Sequence, residues 1–140
     1  MDRRAFLSGA TTVVAVGLTG CLSRSSLGAT DFDIGMDSDA FDPEEFTIET
    51  GDTVIWGNPS SRAHSVTAYE ATLPDGAAYF ASGGFDTERD ARDSWREHTG
   101  SAGGKILSGE TYEHTFEIPG TYPYFCIPHE NVMTGRIHVE

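Results

Sequence analysis

From residue 31 onward, apolar and polar side chains alternate in short runs broken by turn residues. A period of two over runs of this length predicts strands, and several such runs in succession predict an all-β sandwich or barrel. Phe46-Thr47-Ile48 alternates, Gly51-Asp52 marks a turn, and Thr53-Val54-Ile55-Trp56 is rich in β-branched and aromatic residues. Residues 57–61 read as a loop by composition. His64, Val66 and Ala68 then fall on alternate positions of the next expected strand, so His64 shares a face with Val66. Residues 73–104 abandon the alternation. Within them the spacing predicts a short helix over 87–97, capped by Thr87 with Asp90 in the reciprocal position. Glu88 with Arg92 and Arg89 with Asp93 are spaced to pair along it, and Trp95 is expected to anchor it to the sandwich. The glycines at 83, 84, 100, 103 and 104 read as connectors, because no Lys-Ser/Thr ending makes them a phosphate loop. Strands resume over 111–118, 121–126 and 135–140, with Pro119-Gly120 as a turn.

The first thirty residues have a different texture. Arg3 and Arg4 precede an apolar stretch over 10–18 that is shorter than the roughly 20 residues needed to cross a bilayer. The order of basic pair, apolar run and small residues reads as an export signal over 1–20, and Arg3-Arg4-Ala5-Phe6-Leu7 resembles a twin-arginine signal. Leu18-Thr19-Gly20-Cys21 resembles a lipobox, which would leave Cys21 as the lipid-bearing first residue. Residues 21–30 are then a lipidated cysteine and flexible tether, and 31–140 a single domain. The expected location is extracytoplasmic, on the outer face of the cell membrane.

Charge narrows the partners. The formal net charge is -13, with 9 basic residues. A nucleic-acid partner is not expected, because neutralising phosphates calls for a basic stripe. Lys105 is the single lysine, and an acidic, lysine-poor surface resembles that of proteins from salt-loving microbes. A disulfide between Cys21 and Cys126 is not expected, since Cys21 falls in the processing segment.

Candidate chemistry gathers in residues 122–133. Cys126, His129 and Met133 offer a thiolate, an imidazole and a thioether, a set that favours copper over oxygen-seeking ions. Three residues of extended chain cover about 10 Å, so Cys126 and His129 share one ion only if the backbone turns, and Pro128 makes a turn plausible. A third ligand must come from elsewhere, and His64 is best placed by strand parity. Two imidazoles and a thiolate with a distant thioether are the ligands of a blue-copper electron-transfer centre.

Two blocks carry a family resemblance. Residues 46–58, from Phe46-Thr47-Ile48-Glu49-Thr50-Gly51-Asp52-Thr53-Val54-Ile55-Trp56, lead to His64-Ser65-Val66; the second block is Gly120-Thr121-Tyr122-Pro123-Tyr124-Phe125-Cys126-Ile127-Pro128-His129 through Gly135. With them the chain resembles a plastocyanin-type cupredoxin, most closely the halocyanin group of salt-loving archaea, over roughly 31–140. The resemblance implies a Greek-key β-sandwich, with the short helix inserted between the first histidine ligand and the cysteine. It also implies one copper ion cycling between Cu(I) and Cu(II), His64, Cys126 and His129 as equatorial ligands, Met133 as axial ligand, and electron passage through the exposed edge of His129. Three residues separate His129 from Met133, where plastocyanins have four and amicyanins two. A backbone carbonyl such as that of Ala63 is the alternative axial donor. Phe125 stands where plant plastocyanins carry a tyrosine associated with a second docking route, so that route is not expected here.

The expected function is a membrane-anchored one-electron carrier, a monomer that exchanges electrons with redox proteins of a membrane respiratory chain. Because salt shortens the screening length to about 3 Å at 1 M, apolar contact around His129 through Ile127, Pro128 and Val132 would outweigh acidic steering. The alternative is a copper-binding module for storage, delivery or sensing, with the same ligands. An enzyme is not expected: the His-x-His pairs of a multicopper oxidase and the second loop cysteine of a dinuclear centre are absent. Zinc suits two histidines and a thiolate but gains little from methionine. His98, His114 and His138 are expected at the surface, and the acidic run 37–45 as solvated surface without calcium-loop spacing.

Overall fold

The computed structural model describes residues 31–97 and 103–140. The expected signal over 1–20, Cys21 with its tether, and His98 lie outside the described residues. Phe32–Glu140 forms one compact unit.

Eight strands are present among the described residues: β1 (Ile34–Met36), β2 (Phe41–Asp42), β3 (Glu45–Ile48), β4 (Thr53–Gly57), β5 (Thr67–Ala68), β6 (Thr111–Thr115), β7 (Gly120–Phe125) and β8 (Thr134–Val139). They make two four-stranded sheets, in the orders β2-β1-β4-β6 and β3-β8-β7-β5. Each sheet is mixed, because β1 runs parallel to β4 and β3 parallel to β8 while the remaining pairs are antiparallel. Alternation determines which side chains enter the space between them. Val54 and Trp56 of β4, Tyr122 and Tyr124 of β7, and Ile137 and Val139 of β8 are buried. Trp56 is the centre of this core, with the rings of Phe80, Tyr112, Phe116 and Tyr124 around it at centroid distances of 5.4–6.5 Å. Truncating such a side chain costs about 3–5 kcal/mol, so the aromatic cluster is a principal source of stability. Gly57 ends β4 without a side chain because a Cβ there would collide with the ring of Phe32.

The helix α1 (Glu88–Glu97) forms within a residue of the expected span, and the Thr87 hydroxyl accepts the Asp90 N–H at 3.1 Å as its cap. Both expected pairs along it form, Arg92 with Glu88 at 2.7 Å and Arg89 with Asp93 at 3.9 Å. The expected anchor differs. Ala91 is the buried residue of α1, while Trp95 is half-buried with the Lys105 ammonium 4.4 Å from its ring centroid.

Three further expectations are corrected. The strand through His64, Val66 and Ala68 shrinks to β5, and His64 instead makes an isolated bridge with Ile106. His114 is not a plain surface histidine: on β6 it shares a face with Tyr112 and Phe116, and it stacks on Phe80 at 4.8 Å. Its polar neighbours Glu113 and Thr115 point the other way, as the pleat requires. The acidic run 37–45 is not all solvated surface, since it contains β2, whose Phe41 is buried against Tyr124. His138 is part-exposed and pairs with Glu45 at 2.8 Å.

Candidate metal centre

β7 delivers Cys126 to one end of the sandwich, where the strand stops. A turn of 3-10 helix over Ile127–His129, with Pro128 in its first turn, then reverses the chain. The His129 N–H donates to the Cys126 carbonyl at 3.1 Å, the Met133 N–H to the His129 carbonyl at 2.8 Å, and the Cys126 N–H to the Met133 carbonyl at 3.0 Å. These bonds close 126–133 into a compact loop that enters β8. The tight turn that the Cys-x-x-His spacing required is therefore present.

The other half of the centre arrives on a separate strap, residues 58–65. Asn58, 1% exposed, organises it from inside. Its amide donates to the carbonyls of Arg62 at 2.6 Å and Ile106 at 2.8 Å, while its oxygen accepts from the Ser60 N–H and hydroxyl. Backbone bonds in both directions between His64 and Ile106, at 3.1 and 2.8 Å, hold the end of the strap. Val66 is tied through the Ser82 hydroxyl to the carbonyl of Gly104.

Between strap and loop, His64, Cys126 and His129 bring their donor atoms within 4.8 Å of one another. Both imidazoles present Nδ1 to the sulfur, at 3.6 Å from His64 and 3.5 Å from His129. His64 is fully buried, and its Nε2 lies 3.1 Å from the Ser60 hydroxyl. Partners on the far nitrogen of a ligating imidazole orient the ring and select its tautomer. Ser65 joins the two segments: its N–H points at Cys126 Sγ at 3.4 Å, and its hydroxyl accepts the Ile127 N–H at 2.9 Å. Met133 is fully buried in the hydrophobic cluster that also contains Cys126. Cys21 lies outside the described residues.

Electrostatics fit a site designed for a metal rather than for a free acid or base. Burial, aided by the neighbouring His129, pushes His64 down to about 4, so its imidazole is neutral and its nitrogen lone pair available. Burial pushes the Cys126 thiol up to about 11 against the opposing pull of the Ser65 N–H, so the free thiol stays protonated until a cation displaces the proton. One soft sulfur and two neutral imidazoles converging on one point are a donor set suited to copper. Cys126 is a free cysteine, buried, and its geometry is that of joint ligation.

The loop is braced from outside by contacts that sequence reasoning did not foresee. Glu130 accepts a bidentate pair from Arg92 of α1, at 2.8 and 3.1 Å, and the Tyr69 hydroxyl donates to the same carboxylate at 3.0 Å. The Arg92 guanidinium lies 4.3 Å from the ring centroid of Phe125, and Tyr69 stacks on that ring at 4.4 Å. Phe125 is fully covered. Asn58 and Ser65 were also passed over. A loop asparagine carries no signal until its carbonyl partners are known.

The comparisons agree with this geometry. The family model "Copper binding proteins, plastocyanin/azurin family" matches residues 29–140. Plastocyanin of Scenedesmus fuscus is 32% identical over 110 residues, covering 76% of this chain and 95% of the relative. Amicyanin-alpha of Methylorubrum extorquens is 29% identical over 131 residues, covering 94% of this chain and 88% of the relative. The crystal structure of amicyanin from Paracoccus versutus superposes with a TM-score of 0.52 at 27% identity, covering 81% of this chain and 89% of that one. The fold is accordingly that of a cupredoxin, and the chain belongs to the copper-binding plastocyanin/azurin family.

Proposed function

We propose that this protein is a one-electron carrier with a single type 1 copper, held by His64, Cys126 and His129 with Met133 as the weak axial ligand. The observation that carries the reading is the convergence of one cysteine sulfur and two imidazole Nδ1 atoms within 4.8 Å. Copper supplies the redox step, Cu(I) to Cu(II) and back. The chain supplies a frame that barely needs to move between the two. Asn58 and Ser60 fix His64, Ser65 ties the sulfur to the strap, and the 126–133 loop is closed by its own backbone bonds. A centre this tightly bonded favours electron exchange over copper delivery, which needs ligands free to leave. His129, half-buried at the rim, is the proposed electron port.

Within this reading the chain falls in the halocyanin group and acts as a carrier rather than a catalyst. It is exported by the twin-arginine route and held on the outer membrane face by lipidated Cys21, with 21–30 as tether. As a monomer, it serves redox proteins of a membrane respiratory chain. The acidic composition supports the halocyanin placement, and the order of Arg3, Arg4, apolar run and Cys21 supports the export route and the anchor.

Addition of Cu(II) to the domain is expected to give an intense visible thiolate-to-copper band and the narrow hyperfine splitting of type 1 copper in its electron paramagnetic resonance spectrum. Cys126→Ser abolishes the band. A colourless complex of the unmutated domain refutes the reading, and rapid surrender of copper to an acceptor with slow self-exchange favours storage or delivery.

A further inference from the structure

The port carries an arginine that the rest of the domain leaves without a carboxylate. Among the described residues Arg89, Arg92, Arg96 and Arg136 each pair with an acidic side chain. Arg62 does not. It is exposed, on the strap beside His64, and its Nη1 lies 3.2 Å from His129 Nε2. In a chain of net charge -13 an uncompensated guanidinium at this position is conspicuous, because acidic side chains abound and one of them, Asp39, lies near enough to act on His129.

The tautomer of His129 decides what this contact means. His129 turns Nδ1 toward Cys126, so a metal held beside the sulfur takes the lone pair of Nδ1 and leaves the ring proton on Nε2. Nε2–H and the guanidinium N–H are then both donors, with no acceptor between them. Val132, 64% exposed on the same loop, gives the rim an apolar contact beside these donors.

We infer that Arg62 and the Nε2–H of His129 together form a two-donor notch that receives a carboxylate of the redox partner, seating an acidic group of that partner directly on the electron port. The inference rests on the proposed copper centre. A carboxylate fits because its two oxygens can accept from both donors at once, and because a charged acceptor facing a guanidinium makes the stronger kind of hydrogen bond. On this domain the notch also gives an acidic partner one place of approach in an otherwise repulsive field. Arg62 would therefore act on partner choice and association rate rather than on the metal.

The test uses the copper-loaded protein in its reduced form with two one-electron oxidants. One is the anionic bis(dipicolinato)cobaltate(III), which presents carboxylate oxygens. The other is the cationic tris(phenanthroline)cobalt(III). Each takes one electron from Cu(I), giving Cu(II) and Co(II). At the lowest ionic strength at which the domain stays folded, Arg62→Gln is expected to slow oxidation by the anion about two- to fivefold, the size of one exposed charge contact. The cation is not slowed, Arg62→Lys restores most of the anion's rate, and the difference fades in 1 M salt. Without electron transfer, the redox-inert bis(dipicolinato)gallate(III) anion should shift the NMR signals of Arg62 Nε and the His129 ring in the reduced protein, and Arg62→Gln should remove the His129 response. Equal slowing with both oxidants, or an unchanged ratio between them, overturns the inference, as does a changed visible spectrum in Arg62→Gln. Absence of a type 1 spectrum in the unmutated protein instead overturns the copper reading.

Discussion

The two histidines that face Cys126 are held by opposite means. His64 sits on a strap fixed from within the core by neutral hydrogen bonds, with Asn58 fully enclosed and the backbones of His64 and Ile106 paired in both directions. His129 sits on a loop braced from the surface by ion pairing, Arg92 to Glu130, with a stacked Phe125 underneath. Neutral bonds in a dry interior do not feel the salt outside, whereas an exposed pair is screened. One side of the centre is thus indifferent to the medium and the other is tuned by it. The indifferent side carries the buried His64, and the tuned side carries His129, the proposed port.

Asn58→Ala should break the first side with the largest effect. It removes four hydrogen bonds of a buried side chain, two to the carbonyls of Arg62 and Ile106 and two from Ser60, which at roughly 0.5–1.5 kcal/mol each costs about 2–4 kcal/mol. Denaturant unfolding of the metal-free domain measures it, and the loss should be the same in low and high salt. A loss below about 1 kcal/mol would mean the strap does not depend on Asn58.

Acid should weigh next, and more heavily on His64 than on His129, which burial also holds low but by less. The folded state holds His64 at about 4 while the unfolded chain protonates it near 6.5, so the unfolded state binds the proton first as pH falls. Stability of the metal-free domain is therefore full above pH 6.5 and declines between 6.5 and about 4, by roughly 2–3 kcal/mol for the His64 contribution. His114, held low by burial, contributes in the same direction. Copper occupies the His64 lone pair and should flatten the decline. A metal-free domain with flat stability across that window contradicts the buried, neutral state of His64.

Glu130→Gln tests the braced side with the smallest effect. Arg92 loses one of its two carboxylate partners, keeping Glu88, in a site about one-third exposed, so the expected loss is only about 0.5–1 kcal/mol. It should shrink toward zero in 1 M salt, where the screening length is about 3 Å. The comparison fails if this loss is as independent of salt as that of Asn58→Ala.

Legibility in the sequence followed the range of each interaction. The Thr87 cap, the pairs along α1 and the Cys126 to His129 turn are each set within a few residues, and each was read from spacing. His64 was placed by parity on a strand that turned out to be much shorter, yet the residue is buried where the parity put it. The polar neighbours of His114 mark the outer face of β6, while His114 itself shares the inner face with Tyr112 and Phe116, so the neighbours do not report its exposure. Arg92 and Glu130 stand far apart in the chain, and only folding shows that α1 braces the metal loop. Trp95 illustrates the converse, an aromatic at helical spacing that stays half-exposed, with the Lys105 ammonium over its ring.

By itself the sequence determined the donor types, the sandwich class and the tight turn joining Cys126 to His129, since side-chain chemistry, strand period and Pro128 are properties of short segments. Tertiary structure alone decided how the far histidine is held, how the loop is braced, and that Arg62 stands beside the ring of His129. Those depend on which distant segments the two sheets bring to one end of the core, and no local pattern encodes that.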